Sequence, residues 1–512
     1  VFLVSCISLM MILVLTLLYM WRQQGKHRVH TGFVYPVVSR SLLFGSCAAL
    51  LILLAACGSS ATGNTNSTAA TLTTPVSTAT APVTTATSGT TSTQWNDWTT
   101  YHANLQRSGV ASQSPTADPT SLSQAWRSEL DGQVFAEPLM VHGHVIVATE
   151  GDSLYALDPA TGKVLWHTNV GTPVPQSALP CGDIDPLGIT GTPVYDPATN
   201  LIFAVAEVSG PQHILVALNA DNGHLQWKRS ADIPSMDVRA YQQRSALAIA
   251  HGMVVVTYGG HAGDCSDYKG TVVSVHTDGT GNLYSYVVPT AREAGMWTPS
   301  GPSVDAAGNI YVSVGNGASE SGAWDHSDSV LKFSPTLQLE SAFAPTQWAE
   351  ENAHDTDLGS MGPMLLPDNL AFLTGKSGIG YLLNTQNLGG IGGQISDLQI
   401  CQGVAMGGGA VAGTNAVLVP CYDGVRKVSY TANGSKMTID WHFPDVKYSS
   451  VVAGNTVYGL GGDGTIYAVN LANGQLRAKL GPVTSVPTFT TPMISGNHLF
   501  IGTTSGVMSI AI

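Results

Sequence analysis

The sequence predicts an all-β protein: an eight-bladed β-propeller of four-stranded antiparallel blades, its ring closed by an N-terminal strand. Three observations carry this expectation. The first is a hairpin. Leu154-Tyr155-Ala156-Leu157 alternates like a half-buried strand, Asp158-Pro159-Ala160-Thr161-Gly162 supplies turn formers, and Val164-Leu165-Trp166 begins the return strand. The second is its recurrence at Leu215–Trp227 and Ile466–Leu476. Internal repeats at roughly 40 to 50 residues mean blades or a solenoid, because one hairpin cannot bury its own apolar face. The third is an unmatched pair of ends. The last repeat, Phe489–Ile512, stops before a fourth strand, while Leu122–Leu130 reads as a lone strand with Trp126 where a fourth-strand tryptophan belongs. Joining them removes the open edges of a linear array. An open solenoid, or seven blades with a dangling end, is the alternative.

Composition agrees. Gly 56, 44% hydrophobic and only 11% charged residues in 512 suit a large, turn-rich β protein. The formal charge is -13, and the four bases and no acids of Val1–Cys57 leave -17 for the rest, which argues against a nucleic-acid surface.

In chain order, Phe2–Trp21 is an apolar run of about transmembrane length and Leu42–Ala56 a shorter one. The second run has the layout of a secretory signal ending in Leu54-Ala55-Ala56-Cys57. Val1–Tyr19 reads either as sequence upstream of that signal or as an extra membrane span. Residues 58–94 are Ser/Thr/Ala-rich and carry no charge, too poor in large apolar groups to offset the entropy of ordering. They form a tether reaching on the order of 35 Å, or a glycosylated stalk. The globular part, 95–512, divides into units at Phe135–Gly171, Gly188–Asp232, Tyr241–Thr290, Trp297–Thr346, Leu358–Ile400, Met406–Phe443 and Tyr448–Gly481, with the incomplete eighth behind them.

In such a ring the loops leading into each innermost strand (A) and the turns between the second and third strands (B and C) share one face. By that rule Glu137, Thr192, Arg244, Trp297 and Asp357 arrive from lead-in loops, and Glu207, Asn316 and Lys376 from B–C turns. Glu137 and Arg244 are expected as an interblade ion pair or a solvated rim.

Tyr155–Trp166 resembles the repeat of the pyrroloquinoline quinone (PQQ) propellers, and the resemblance runs from about Trp95 to the C-terminus. Leu-Ala-Ala-Cys resembles a bacterial lipobox, which implies lipidation of Cys57, a membrane anchor and an extracytoplasmic location. Cys181–Pro193 and Ala262–Cys265 are similar to segments of secreted PQQ-like propellers of actinobacterial type. The repeat implies the fold more firmly than the activity, because non-catalytic propeller lipoproteins of the outer-membrane assembly machine carry it too. Matched to the quinoprotein dehydrogenases, Trp297 resembles the tryptophan that stacks on the quinone, Asn316 of Gly315-Asn316-Gly317 the calcium ligand, and Asp357 the catalytic aspartate, itself also a calcium ligand. Lys376 resembles the cation on the quinone oxygens, Arg244 is a further cofactor contact, and Glu207 is a calcium ligand one residue out of register. PQQ and calcium follow as implied cofactors. A fused haem does not, because Cys-x-x-Cys-His is missing. Each of these residues also has a structural alternative: blade packing for Trp297, turn formation for Asn316 and Lys376, backbone capping for Asp357.

Beyond Cys57 four cysteines remain, an even number in a secreted context. Their placement in the blades suggests Cys181–Cys265 and Cys401–Cys421, with free buried thiols as the alternative. Two functions from different classes stand open. One is a tethered binding or scaffold module whose face engages a protein, glycan or small ligand. The other is a PQQ- and calcium-dependent alcohol or sugar dehydrogenase.

Overall fold

A computed structural model describes residues 94–512, apart from 116 and 484. The apolar runs, Cys57 and all but the last residue of the tether lie outside the described residues.

Eight antiparallel sheets make up the ring. In the first blade Leu139–Val141, His144–Thr149, Ser153–Leu157 and Val164–Asn169 lie in that order from the axis outward. The first three strands are almost wholly buried, while the outer one alternates between exposed and half-buried, the mark of a strand with one face in water. The closure forms as expected: Ser123–Glu129 pairs antiparallel with Gly506–Ala511, Trp126 opposite Ser509. Two blades add to the pattern. Tyr241–Gln242 pairs with Gly259 and Gly260 in the third, and Gly390–Ile391 runs parallel to the outer strand of the fourth. A seven-residue helix, Trp348–His354, which periodicity did not predict, joins the fourth blade to the fifth.

Neighbouring blades lock through one repeated device. The indole N–H of Trp126 donates to Pro159 O at 2.9 Å, Trp166 to Ala220 O at 3.3 Å, Trp227 to Thr277 O at 3.2 Å and Trp441 to Leu471 O at 3.0 Å. Each acceptor lies in the C–D turn of the next blade. Each ring covers that turn's left-handed glycine, Gly162, Gly223, Gly279 or Gly474, where a Cβ would come within 2.5 to 2.8 Å of the indole. Glycine is needed there twice over, for its positive φ and for the close approach.

The lower end of the axis is closed by a strap that the repeat pattern did not reveal. Residues 96–111 bond in turn to the innermost region of every blade. Backbone bonds join Trp98 to Met140, Thr99 to Tyr195, Leu105 to Val304, Gln106 to Leu365, Ser108 to Val411 and Gly109 to Val452. Asn96 reaches the Ser495 hydroxyl and Thr100 reaches Leu247 O. Arg107, buried and left-handed, spends its guanidinium on Pro302 O, Thr100 Oγ1, Tyr101 O and Leu247 O.

Candidate functional site

The opposite end of the axis opens into a cavity of about 210 Å³. Arg244, Trp297, Asn316, Asp357 and Lys376, five residues spread over 133 positions, all line it. Glycines allow the convergence. A Cβ on Gly259 would come 2.7 Å from Trp297 Cβ, and Cβ atoms on Gly315 and Gly375 would strike Asp357.

Asp357 is held from both sides. Lys376 Nζ lies 2.6 Å from its Oδ2, and the Asn316 backbone N–H donates to Oδ1 at 2.6 Å. The Asn316 side-chain amide, oriented to satisfy its neighbours, donates to the same carboxylate. Lys376 also reaches Asp355 at 2.7 Å and stands 6.0 Å from the Trp297 ring centroid. Burial works against the Lys376 charge, but Asp357 and Asp355 outweigh it and lift the pKa above the usual lysine value. The helix Trp348–His354 contributes Asn352, whose oxygen accepts Gly317 N–H at 2.7 Å and so fixes the turn carrying Asn316.

Two expected residues go elsewhere. Glu207 does not face the cavity. Its Oε1 accepts the Gln243 N–H at 2.7 Å and its Oε2 lies 3.5 Å from His213 Nε2. Glu137 is not paired with Arg244 and is no rim residue. It is 2% exposed on the axis, accepting Trp98 Nε1–H at 3.1 Å and His102 N–H at 2.7 Å, and burial raises its pKa well above the usual value. Thr192 stays beside it, its hydroxyl oxygen accepting the Glu137 N–H at 2.9 Å. The strap, which fills the axis with donors that the repeat does not encode, takes Glu137, while Glu207 is taken by the His213 opposite it in its own blade and by the backbone of the next.

Calcium does not fit these donors as they stand. A hard cation takes six or more oxygens. Here Asp357 is already neutralised by an ammonium group, Glu207 is committed to His213, and among the described residues no three His, Cys, Asp or Glu side chains converge on one point. A flat quinone fits better in character, with Trp297 as an aromatic wall and Lys376 and Arg244 as cations.

Sequence reasoning missed Glu150 and Asp328, and gave Glu207 a different role, among the buried acids that staple one blade's B–C region to the next blade. Glu150 accepts Gly188 N–H at 2.6 Å, Glu207 accepts Gln243 N–H, and Asp328 accepts Leu358 N–H at 2.9 Å. It also missed His213, clamped between Glu207 and Asp232, whose Oδ1 lies 2.6 Å from Nδ1. The signal was faint: single acids near turns, with partners supplied by backbone rather than by a motif. Both disulfides join the expected partners, Cys181 with Cys265 and Cys401 with Cys421. The first ties a loop bearing Asp183 and Ile184 to one bearing Ala262 and Asp264 across the cavity lip.

Fold and site together define a class: a PQQ-type propeller with a polar, aromatic-walled cavity on the axis. Residues 123–387 match the family described as outer membrane protein assembly factor BamB, and the chain belongs to that family. A polyvinylalcohol dehydrogenase of Sphingopyxis sp. (strain 113P3) is 25% identical over 386 residues, 66% of this chain and 55% of its own. The chain thus spans little more than half the length of that relative. Among solved structures, a europium-containing methanol dehydrogenase superposes with a TM-score of 0.63 at 15% identity, covering 81% of this chain and 98% of its own. BamB from Moraxella catarrhalis superposes with a TM-score of 0.53 at 15% identity, covering 76% and 99%. These likenesses show the fold alone.

Proposed function

We propose that the chain is an extracytoplasmic binding module, anchored by a lipidated Cys57, whose axial cavity receives a small ligand and whose surrounding loops engage a protein or glycan partner. The observation that carries the reading is the convergence of Arg244, Trp297, Asn316, Asp357 and Lys376 on one cavity, with Asp357 neutralised and its oxygens already hydrogen-bonded. Such a site is built to hold a ligand before it is built to move a proton. Two disulfides support the oxidising location. Crystals soaked with a mixed set of neutral and charged fragments should show density against Trp297, and a set that nowhere enters the cavity ends the reading. For the anchor, Cys57→Ser should move the protein from the membrane fraction to the medium; unchanged fractionation refutes it.

A second reading, a PQQ-dependent alcohol or sugar dehydrogenase, is favoured by the placement of Trp297, Asn316, Asp357 and Lys376 on one wall and by the relative named as a dehydrogenase. Trp297 would stack on the quinone, with Lys376 and Arg244 facing its oxygens. A bound quinone supplies a two-electron acceptor for the alcohol carbon. Asp357, released from Lys376 as substrate enters, would accept the hydroxyl proton. Reconstitution with PQQ, with and without calcium, separates the readings. Dye reduction across an alcohol and aldose panel that Asp357→Asn abolishes establishes the enzyme, and no bound chromophore with no reduction leaves the binding module.

A further inference from the structure

We propose that the Cys181–Cys265 bond is an exchangeable clasp: a dithiol opens it, the two loops it joins part, and the axial cavity widens for its ligand. This rests on the cavity being a ligand site. Two bonds of one chain stand in contrast. Cys401 and Cys421 are both 0% exposed and packed in the core with Met361, Ile400 and Val419. Cys181 is half-buried and Cys265 exposed. Exchange begins when a thiolate reaches a disulfide sulfur, so access decides which bond is attacked. The thiolate attacks Cys265 Sγ, and the electron pair of the S–S bond leaves on Cys181, which takes a proton from solvent. The second thiolate of the dithiol then attacks its own sulfur in the mixed disulfide, and Cys265 leaves and is protonated in turn. Two electrons pass to the protein, and the dithiol ends as a disulfide.

Each loop stands without the clasp. Within residues 173–188, Val174 and Leu187 exchange two backbone hydrogen bonds of 2.8 Å, and with Ile184 they form an apolar cluster against Phe135. Within residues 261–268, Asp264 N–H donates to His261 O at 3.1 Å and Tyr268 O–H to Asp264 Oδ1 at 2.7 Å. Between the two loops, among the described residues, there is no hydrogen bond or ion pair, so the disulfide is their one tie. Both carry acids, Asp183 and Asp185 on one and Asp264 and Asp267 on the other, and these charges favour separation once the bond is gone. The cavity needs such a movement. At about 210 Å³ it is larger than the roughly 150 Å³ that holds benzene and smaller than the roughly 300 to 1,000 Å³ of most ligand sites. Asp357, Lys376 and Asn316 are locked to one another, whereas Asp183 and Ile184 on one loop and Ala262 and Asp264 on the other are wall that only the bond holds together.

Dithiothreitol titrated onto the full chain, followed by iodoacetamide and peptide mass mapping, should free Cys181 and Cys265 while Cys401 and Cys421 stay joined. Both bonds opening together, or neither opening before the protein unfolds, overturns the clasp. Access is read at Met406, which lines the cavity, by sulfoxide formation with hydrogen peroxide and with the bulkier chloramine-T. Opening the bond, by reduction and alkylation or by Cys181→Ser together with Cys265→Ser, should speed the chloramine-T reaction about tenfold, as parting of the loops becomes a cheap local event. The peroxide reaction should change far less, because so small an oxidant enters the closed cavity. An unchanged chloramine-T rate overturns the gate, and so does an equal rise with both oxidants, which reports general loosening. Should the double serine variant fail to fold, the reduced and alkylated parent carries the comparison. None of these failures touches the ligand reading, since fragments of benzene size fit the closed cavity. Soaks that stay empty with the bond closed and with it open end that reading, and the ligand part of this proposal with it.

Discussion

His213 shows how a side chain with no recognisable motif sets a property of the whole protein. Burial alone would discharge it, but Glu207 and Asp232 on either side reverse that and raise its pKa to about 10. Stability from such a group is complete below the unfolded value of about 6.5 and drains away as pH rises through 10. Two buried acids act in the same direction by another route. Burial raises Glu150 to about 7, and burial with the Glu150, Glu207 and Asp131 charges raises Asp152 to about 8. Both oxygens of Asp152 and one of Glu150 lack partners. A carboxyl whose folded pKa is raised binds protons better when folded, so stability is present below about pH 4 and is lost on the way to pH 8. Urea melts should therefore give a midpoint that falls steadily from pH 5 to pH 10. His213→Gln should flatten the upper half of that decline and Glu150→Gln the lower half; a midpoint that rises with pH contradicts the assignment.

At the scale of the blade, the outer-strand tryptophan and the next blade's glycine form one unit divided between two repeats. This explains why the hairpin reads as it does. Gly162 ends its turn because Trp126 lies over it, and Trp166 follows because Gly223 waits one blade on. Trp126→Ala removes an almost fully buried ring at the strand pairing that closes the circle, and should cost about 3 kcal/mol in chemical denaturation. Gly162→Val should cost as much by driving a Cβ into the same indole at a positive φ. If Trp126→Ala melts like the parent protein, closure does not rest on this lock. The repeat made these positions legible because each lock is local in sequence on both sides: the turn is read as a turn and the tryptophan as a strand residue. The fifth strand at Gly390–Ile391 and the helix at Trp348–His354 carried no such mark, lying in loops whose form is set by what they cover.

Across the whole molecule, the strap of residues 96–111 couples blades that the ring alone links only to their neighbours. The amides of Met140, Tyr195, Val304, Leu365, Val411 and Val452 all donate to it. Arg107→Ala leaves three carbonyls and a hydroxyl short of a buried donor, so these six amides, in six blades, should lose hydrogen-exchange protection together. Loss confined to the third and fourth blades, which Arg107 itself touches, would show that the strap does not act as one body. The number of blades, the closing strand and the positions of the candidates Arg244, Trp297, Asn316, Asp357 and Lys376 in lead-in loops and B–C turns were determined by the sequence, because strand alternation and turn chemistry repeat with a short period. Which of the candidates meet was decided by the tertiary structure. It sent Glu207 to His213 and Glu137 to the strap, and it left Arg244 without a carboxylate. A buried charge takes whatever partner packing brings within reach: for Glu137 the strap, for Glu207 the His213 opposite it on the neighbouring strand and the Gln243 amide of the next blade, pairings that the repeat pattern does not mark.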